Sequence, residues 1–468
     1  MMASIAVTTL TSLAIFVASS QKSSSNEVTR QKALQIAERG VYYYRWYLAH
    51  NLDGKSQTQV IDFWQNGNPI GVGSDYNQVV TDFDGTEIGE FQLSVDDPDP
   101  DSTIVSIEVT GWTYRNPSIT KTIKVRFRKE SWSEYSVLAN DYMRFGEGTV
   151  VYGPIHSNNG IRFDGTANNV VSSSKATFID PDINQIKPGV WTSQPDESQV
   201  FLAGTEYPVA EIDFNSITSD LNYIRTEASN NGTYLHDDYI TQQACYYQWM
   251  GGWPPSWQQV CYEQHVDILG YHITLKTDDT FVVTKVLDYS TSRFNILEES
   301  DPEIFSLPDN GLIFADKNVW LDGQINTAQL TIASADLDGS YDTNVYINND
   351  IKYTNYDGSD IIGIIAEDNI RVGLYSEDNL EIDAALLAQK GSVGRDYYSG
   401  WSISSWVYRD EITIVGSIAT NKRYGFAYTD GTGYNTRNLY FDNNLIYYPP
   451  PYFPTGDEYE LDQWEEVR

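Results

Sequence analysis

From Gly311 to Gly425 the chain alternates short apolar runs with short polar gaps. The runs are LIFA, VWL, LTIA, VYI, IIGIIA, NIRV, LEI, ALLA and ITIVGSIA; the gaps include ADKN, DGQ, NND, EDN, QKGSVG and TNK. Apolar runs this brief, closed by Asp, Asn and Gly turns, predict strands and not helices. Small phrases recur: Phe314–Val319 (FADKNV) parallels Ile365–Ile370 (IAEDNI), and Leu387–Gly391 (LAQKG) sits in a similar setting. Recurrence at this scale predicts a right-handed parallel β-helix, a solenoid whose coils each bury a row of Ile, Leu, Val and Ala against their neighbours. Ala315, Ala333, Ala366 and Ala388 suit its narrow core, and Asn318, Asn349 and Asn369 suit its corners. A β-sandwich of irregular hairpins is the alternative that the same pattern allows.

The rest of the chain changes period. Residues 1–20 carry no charge and approach the minimum length of a bilayer span. From Val28 to Leu48, Ala33, Ile36, Ala37, Gly40, Val41, Tyr44 and Tyr47 or Leu48 fall on one helical face, which predicts one long helix, apolar first and amphipathic after. Between Asp62 and Glu130 the segments TEIGEFQLSV, TIVSIEVTGWTY and ITKTIKVRFRKE alternate with period two and predict a small antiparallel sheet. Strand-and-turn phrases resume at 131–180. Residues 181–305 are expected to interrupt the repeat with an extended loop, an amphipathic helix within 209–231, an aromatic loop and a hairpin at 272–286. The Tyr- and Pro-rich tail cannot continue a sheet through PPPYFP and is expected to strap the last coils. The expected organisation is mainly β: a helix at 1–50, an antiparallel domain at 51–130, a solenoid at 131–430 with its insertion at about 181–305, and a strap at 431–468.

The phrase ALQIAERGVYYYRWYL, after an apolar start, resembles the N-terminal helix of type IV pilin-like proteins, and Ala33 to Val41 are similar to the segment where that helix leaves the membrane in PilX-type minor pilins. The phrase GPIHSNNGI and the closing tail resemble parts of PilX-type and polymer-forming β-solenoid proteins. The basic leader of that family, its Gly cleavage point and the Glu after it have no match here, which fits a truncated start or an unprocessed anchor. The resemblance implies a component of a type IV pilus or related surface filament, with other pilin subunits as partners through the N-terminal helix. It implies a cell-surface or extracellular position, with residues 3–20 as a transmembrane or filament-embedded anchor.

Asp and Glu outnumber Lys and Arg 65 to 30, for a formal charge of −35. Such a surface repels nucleic acid, which is not expected as a partner. Abundant Gly, Asn, Asp, Tyr and Thr with only 2 Cys and 4 Met favour a β-rich extracellular protein. Cys245 and Cys261 flank YYQWMGGWPPSWQQV; a disulfide there is worth about 3 kcal/mol, while a zinc site using His265 and His272 is the sharper alternative, without a CxxC pair to support it.

Tyr246, Tyr247, Trp249, Trp253, Trp257 and Tyr262 crowd the same stretch. Exposed on a rigid loop they form a binding surface, with a surface glycan as a reasonable ligand class; folded inward they form a small core. Asp96, Asp97, Asp99 and Asp101 could cup a calcium ion or form a solvated acidic turn, and no other cofactor is expected. A β-helix enzyme acting on polysaccharide, a lyase or hydrolase, is the alternative class. Asp378, Glu381 and Asp383, or Glu367 and Asp368 near Arg371, are its candidate groups, and neither set has distinguishing context. GxSxG, P-loop, GxGxxG and HExxH motifs are missing from the sequence, so a non-catalytic adhesive or structural protein is expected. His156, with no second ligand at metal spacing, is expected to be a hydrogen-bonded corner residue.

Overall fold

The computed structural model describes residues 2–52, 55, 57–96, 104–214, 217–254, 256–339, 342–399 and 404–467. The chain is mainly β and divides into two compact units, one of residues 1–130 with 455–468 and one of residues 131–454. In sequence, the larger unit is therefore inserted into the smaller.

In the smaller unit two helices, α1 (Met2–Leu52) and α2 (Gln57–Asn66), precede an antiparallel sheet. Ala33, Ile36, Ala37, Val41, Tyr44 and Leu48 are all buried, so the face expected from helical spacing is the packed one. The strands Tyr76–Thr81, Glu87–Val95, Ile104–Thr113 and Asn116–Ser131 pair in succession. Alternation sends Val105, Ile107 and Val109 towards the helix. Contact is close because Gly111 has no side chain: a Cβ there would lie 2.4 Å from the Ala33 carbonyl oxygen and 2.5 Å from the Ala37 nitrogen. Thr455–Val467 adds a fifth strand beside Asn116–Ser131. Ion pairs of Lys121 with Glu466 and of Arg126 and Arg128 with Asp462 give it an antiparallel direction.

The first half of α1 departs from expectation. Among the described residues no helix is long and apolar enough to cross a membrane. The transmembrane anchor expected at residues 3–20 is therefore corrected: seven Ser and Thr residues within that stretch dilute its apolar character.

In the larger unit the strands stack in parallel ladders around one core, which removes the irregular-hairpin alternative for the 312–420 region. One column runs Ile313, Ile332, Ile364, Leu386, Ile418, Val137, Ile155, Val171. A second runs Tyr271, Val319, Val345, Ile370, Val393, and a third Ile351, Ile382, Ile414, Leu439, Val151, Ala167. The three share their buried residues in a single cluster.

The path through the first column is not monotonic. The chain enters in the middle, where Val137 lies beside Ile418, and advances to Thr205. It then restarts at the opposite end with Thr233 and winds back to Ile418. Nine strand spacings separate those ends, about 43 Å at ~4.8 Å each. Helix α3 (Ile217–Asn231) covers about 22 Å of this at 1.5 Å per residue. Leu221, Ile224 and Ala228 of that helix pack on the outward apolar residues Phe314, Ile365, Leu387 and Ala419. The unbroken run IIGIIA follows from this cover: Ile362 and Ile364 face the main core, and Ile361 and Ile365 lie in the second cluster.

Three expectations change. The repeat is not interrupted throughout 181–305, since Val190–Trp191, Thr205–Glu206, Thr233–Leu235 and Gly270–Leu275 all belong to ladders. The tail is not one strap: Gly433–Phe441 is a ladder strand, Leu445 and Phe453 pack over the outer apolar face, and the residues after Pro454 return to the first sheet. The corner asparagines are Asn318, Asn344 and Asn369, whose side chains bond in series; Asn349 instead caps the Asp350 backbone N–H at 2.8 Å.

Candidate functional site

Between the ladder strands Thr233–Leu235 and Gly270–Leu275 the chain leaves the core as a two-stranded hairpin, Tyr239–Met250 paired with Ser256–Asp267. At ~3.4 Å per residue each arm is about 40 Å long. Only its base is anchored, through Ile240 and Val266 against the core. Cys245 faces Cys261 directly in the register and the two form a disulfide with Cα atoms 4.0 Å apart. The zinc alternative is thereby overturned. His265 instead lies 4.2 Å from the Tyr239 ring, and His272 sits between Glu299 at 3.2 Å and Asp322 at 3.0 Å. Those two carboxylates hold the His272 pKa above its ordinary value against the opposing effect of burial.

Beyond the disulfide the hairpin carries rings on both faces. Tyr247, Trp249 and Trp257 share the face of the disulfide, and Trp249 and Trp257 meet edge to face at 5.2 Å. Tyr246 and Tyr262 lie on the opposite face, 6.2 Å apart on a diagonal. Trp253 stands at the tip, 96% exposed, and the other five rings are between 49% and 67% exposed. The inward-folded alternative does not describe these side chains. An arm with five of its six rings split over two faces and one at its tip can clamp or stack on flat apolar surfaces.

The sequence reading missed the register. Its signal was present: Gln242 with Gln264, Gln248 with Gln258 and Trp249 with Trp257 mirror one another about the Gly251–Pro254 turn.

The remaining candidates fall apart in space or serve the fold. Asp97, Asp99 and Asp101 lie outside the described residues, while the Asp96 backbone N–H bonds the Ser106 carbonyl at 2.9 Å. Among the described residues no group of three or more His, Cys, Asp or Glu is placed to hold a metal ion. Asp383 is fully buried and accepts from the Tyr353 N–H at 2.9 Å and the Tyr356 hydroxyl at 2.7 Å. Glu381 pairs with Lys352 at 3.1 Å, and Asp378 accepts from the Asp410 N–H at 3.2 Å. Glu367 receives the Asp336 N–H at 3.0 Å and Lys390 at 2.7 Å. Glu381 and Glu367 thus hold lysines, Asp383, Asp378 and Glu367 accept from backbone N–H groups, and Asp368 accepts from the Asn369 side-chain amide. His156 is buried between Ser172 at 3.0 Å and Asn158 at 3.1 Å, and burial holds its pKa below the usual value.

No family model matches the chain, and no curated protein does so. Among solved structures, the competence-associated pilin ComZ from Thermus thermophilus is similar at 13% identity and a TM-score of 0.34, over 94% of this chain and 97% of that one. A likeness at that level fixes neither fold nor function.

Proposed function

We propose that this protein is a non-catalytic, pilin-like subunit of a surface filament that binds its target through the disulfide-bonded aromatic hairpin. In this reading the three ladders are the faces of a right-handed β-solenoid that serves as a rigid support for the hairpin. The observation that carries the proposal is the exposure of the aromatic set on an arm that contributes no strand to the ladders. Tyrosine and tryptophan give large contact area at small entropic cost, and their flat faces stack on sugar rings, so a surface glycan is the proposed ligand class.

The pilin-like part rests on α1. Its second half is buried against the sheet, whereas Leu10, Leu13, Ile15 and Phe16 in its first half are exposed within this chain. Packing among the equivalent helices of neighbouring subunits would cover them. Substituting Leu13→Glu and Phe16→Glu together in the full chain tests this. The double variant is expected to stay folded but to be lost from sheared filament preparations of the host. Undiminished incorporation would reject the assembly role.

A further inference from the structure

A second, chemically different surface lies in the larger unit. On the outward side of the second ladder the register places Trp320, Tyr346 and Arg371 in one line. Gly394 and Gly425 follow them. The Phe145 ring lies 5.4 Å from that of Tyr424, tilted at 35°, which sets the strand of Arg144, itself paired with Arg162, on the far side of the glycines. The gap opens at Gly425, where a Cβ would meet nothing within 4 Å, whereas one at Gly394 would lie 2.2 Å from the Gly425 carbonyl oxygen. The gap is part of a groove of ≈ 1020 Å³.

Its lining has six arginines against four carboxylates, in a chain whose acidic residues outnumber its basic ones 65 to 30. Arg395 and Arg437 are buried and spend their donors on backbone carbonyls, so four arginines face the four carboxylates. Arg371 is fixed by Asp396 at 3.0 Å and the Ser392 carbonyl at 2.7 Å. Across the gap Arg144 and Arg423 share Asp182 at 2.9 and 3.3 Å. Arg371 also donates to the Ser392 hydroxyl and to Asn369, so of its five N–H donors one is left, and the spare donors lie chiefly on the lip of Arg144 and Arg423. Tyr428 forms a wall, its hydroxyl donating to the Arg395 carbonyl at 2.8 Å, with the Tyr397 ring 5.1 Å away.

We propose that this groove binds a carboxylate-bearing pyranose unit of an acidic polysaccharide. The planar carboxylate matches the guanidinium fork, and a sugar ring fits the glycine-floored gap beside tyrosine faces. The chain's charge of −35 disfavours a dense polyanion, whereas a single carboxylate per ring can be met by the donors that Arg144 and Arg423 keep beyond their ion pairs with Asp182. The inference does not depend on the hairpin.

Titration calorimetry of the full chain with trigalacturonate tests it, with an uncharged galactose trisaccharide and inorganic sulfate as controls. Trigalacturonate is expected to bind, and the two controls are not. A Cβ at Gly425 meets nothing within 4 Å, so Gly425→Leu fills the gap while leaving every arginine in place. That variant, and separately Arg423→Gln at a partly exposed lip, are each expected to weaken binding by about tenfold or more. Trp253→Ala is expected to leave it unchanged, which separates failure of this site from failure of the hairpin. Absence of trigalacturonate binding, equal binding of the neutral sugar, full competition by sulfate, or unaltered affinity in Gly425→Leu would each overturn the proposal.

Discussion

Replacing both cysteines of the hairpin, Cys245→Ser with Cys261→Ser, separates the arm's local order from the stability of its support. A two-stranded hairpin without a covering layer is at best marginally stable in water. Here only Ile240 and Val266 at the base gain cover from the core, so the aromatic half depends on strand pairing and the disulfide. The bridge closes a loop with a sequence separation of 16, for which chain entropy predicts about 3 kcal/mol. At about 1.4 kcal/mol per decade, its loss raises the opening equilibrium roughly one hundredfold. Hydrogen exchange read by mass spectrometry is expected to show that acceleration in peptides covering 244–262. Peptides covering the ladder strands Ile361–Ala366 and Asn379–Ala388, together with the thermal midpoint, are expected not to change. Unaltered exchange in the arm, or a lowered midpoint for the whole unit, would refute the reasoning.

Three further outcomes test the packing. Gly111→Val pushes a side chain into the backbone of α1 at Ala33 and Ala37 and is expected to cost about 1–3 kcal/mol in denaturant unfolding of the smaller unit. Asn344→Ala removes the oxygen that accepts the Asn369 backbone N–H at 3.1 Å and side-chain N–H at 3.0 Å, and is expected to cost about 1–3 kcal/mol in denaturant unfolding of the larger unit. Burial pushes the Asp383 carboxyl up to about 6, above its unfolded value, so the stability associated with its protonated form is present in acid and is lost as pH rises through 6. That contribution is at most about 3 kcal/mol, and Asp383→Asn is expected to flatten the stability profile between pH 4 and 7.

Local periodicity was informative where one face of an element meets one core. Ala33, Ile36, Val41 and Tyr44 could be placed from spacing alone, as could the strands of 87–131. Longer-range features left no such trace. The seam between Ile418 and Val137 joins residues far apart in the chain, and nothing near either predicts the other. The covered outer face of Ile361–Ala366 showed only as an unbroken apolar run, which two buried faces explain once α3 and the tail are in place. The apolar start of α1 was overread because its charge was counted before its hydroxyls. The aromatic cluster of 246–262 was evident, but its division into two faces followed from a register that the mirror-related glutamines encode. The groove arginines escaped notice because they are distributed over many coils with no common spacing.

Binding of the full chain to immobilised host-surface glycans, compared with Trp253→Ala and Trp257→Ala, tests the central claim most directly. Trp253 and Trp257 are 96% and 64% exposed, so neither substitution removes core packing and the thermal midpoint is expected to hold. The account predicts that glycan attachment falls at least about tenfold in each variant, the loss of an aromatic stacking contact, while the fold persists. Attachment equal to that of the unaltered protein in both variants would contradict it.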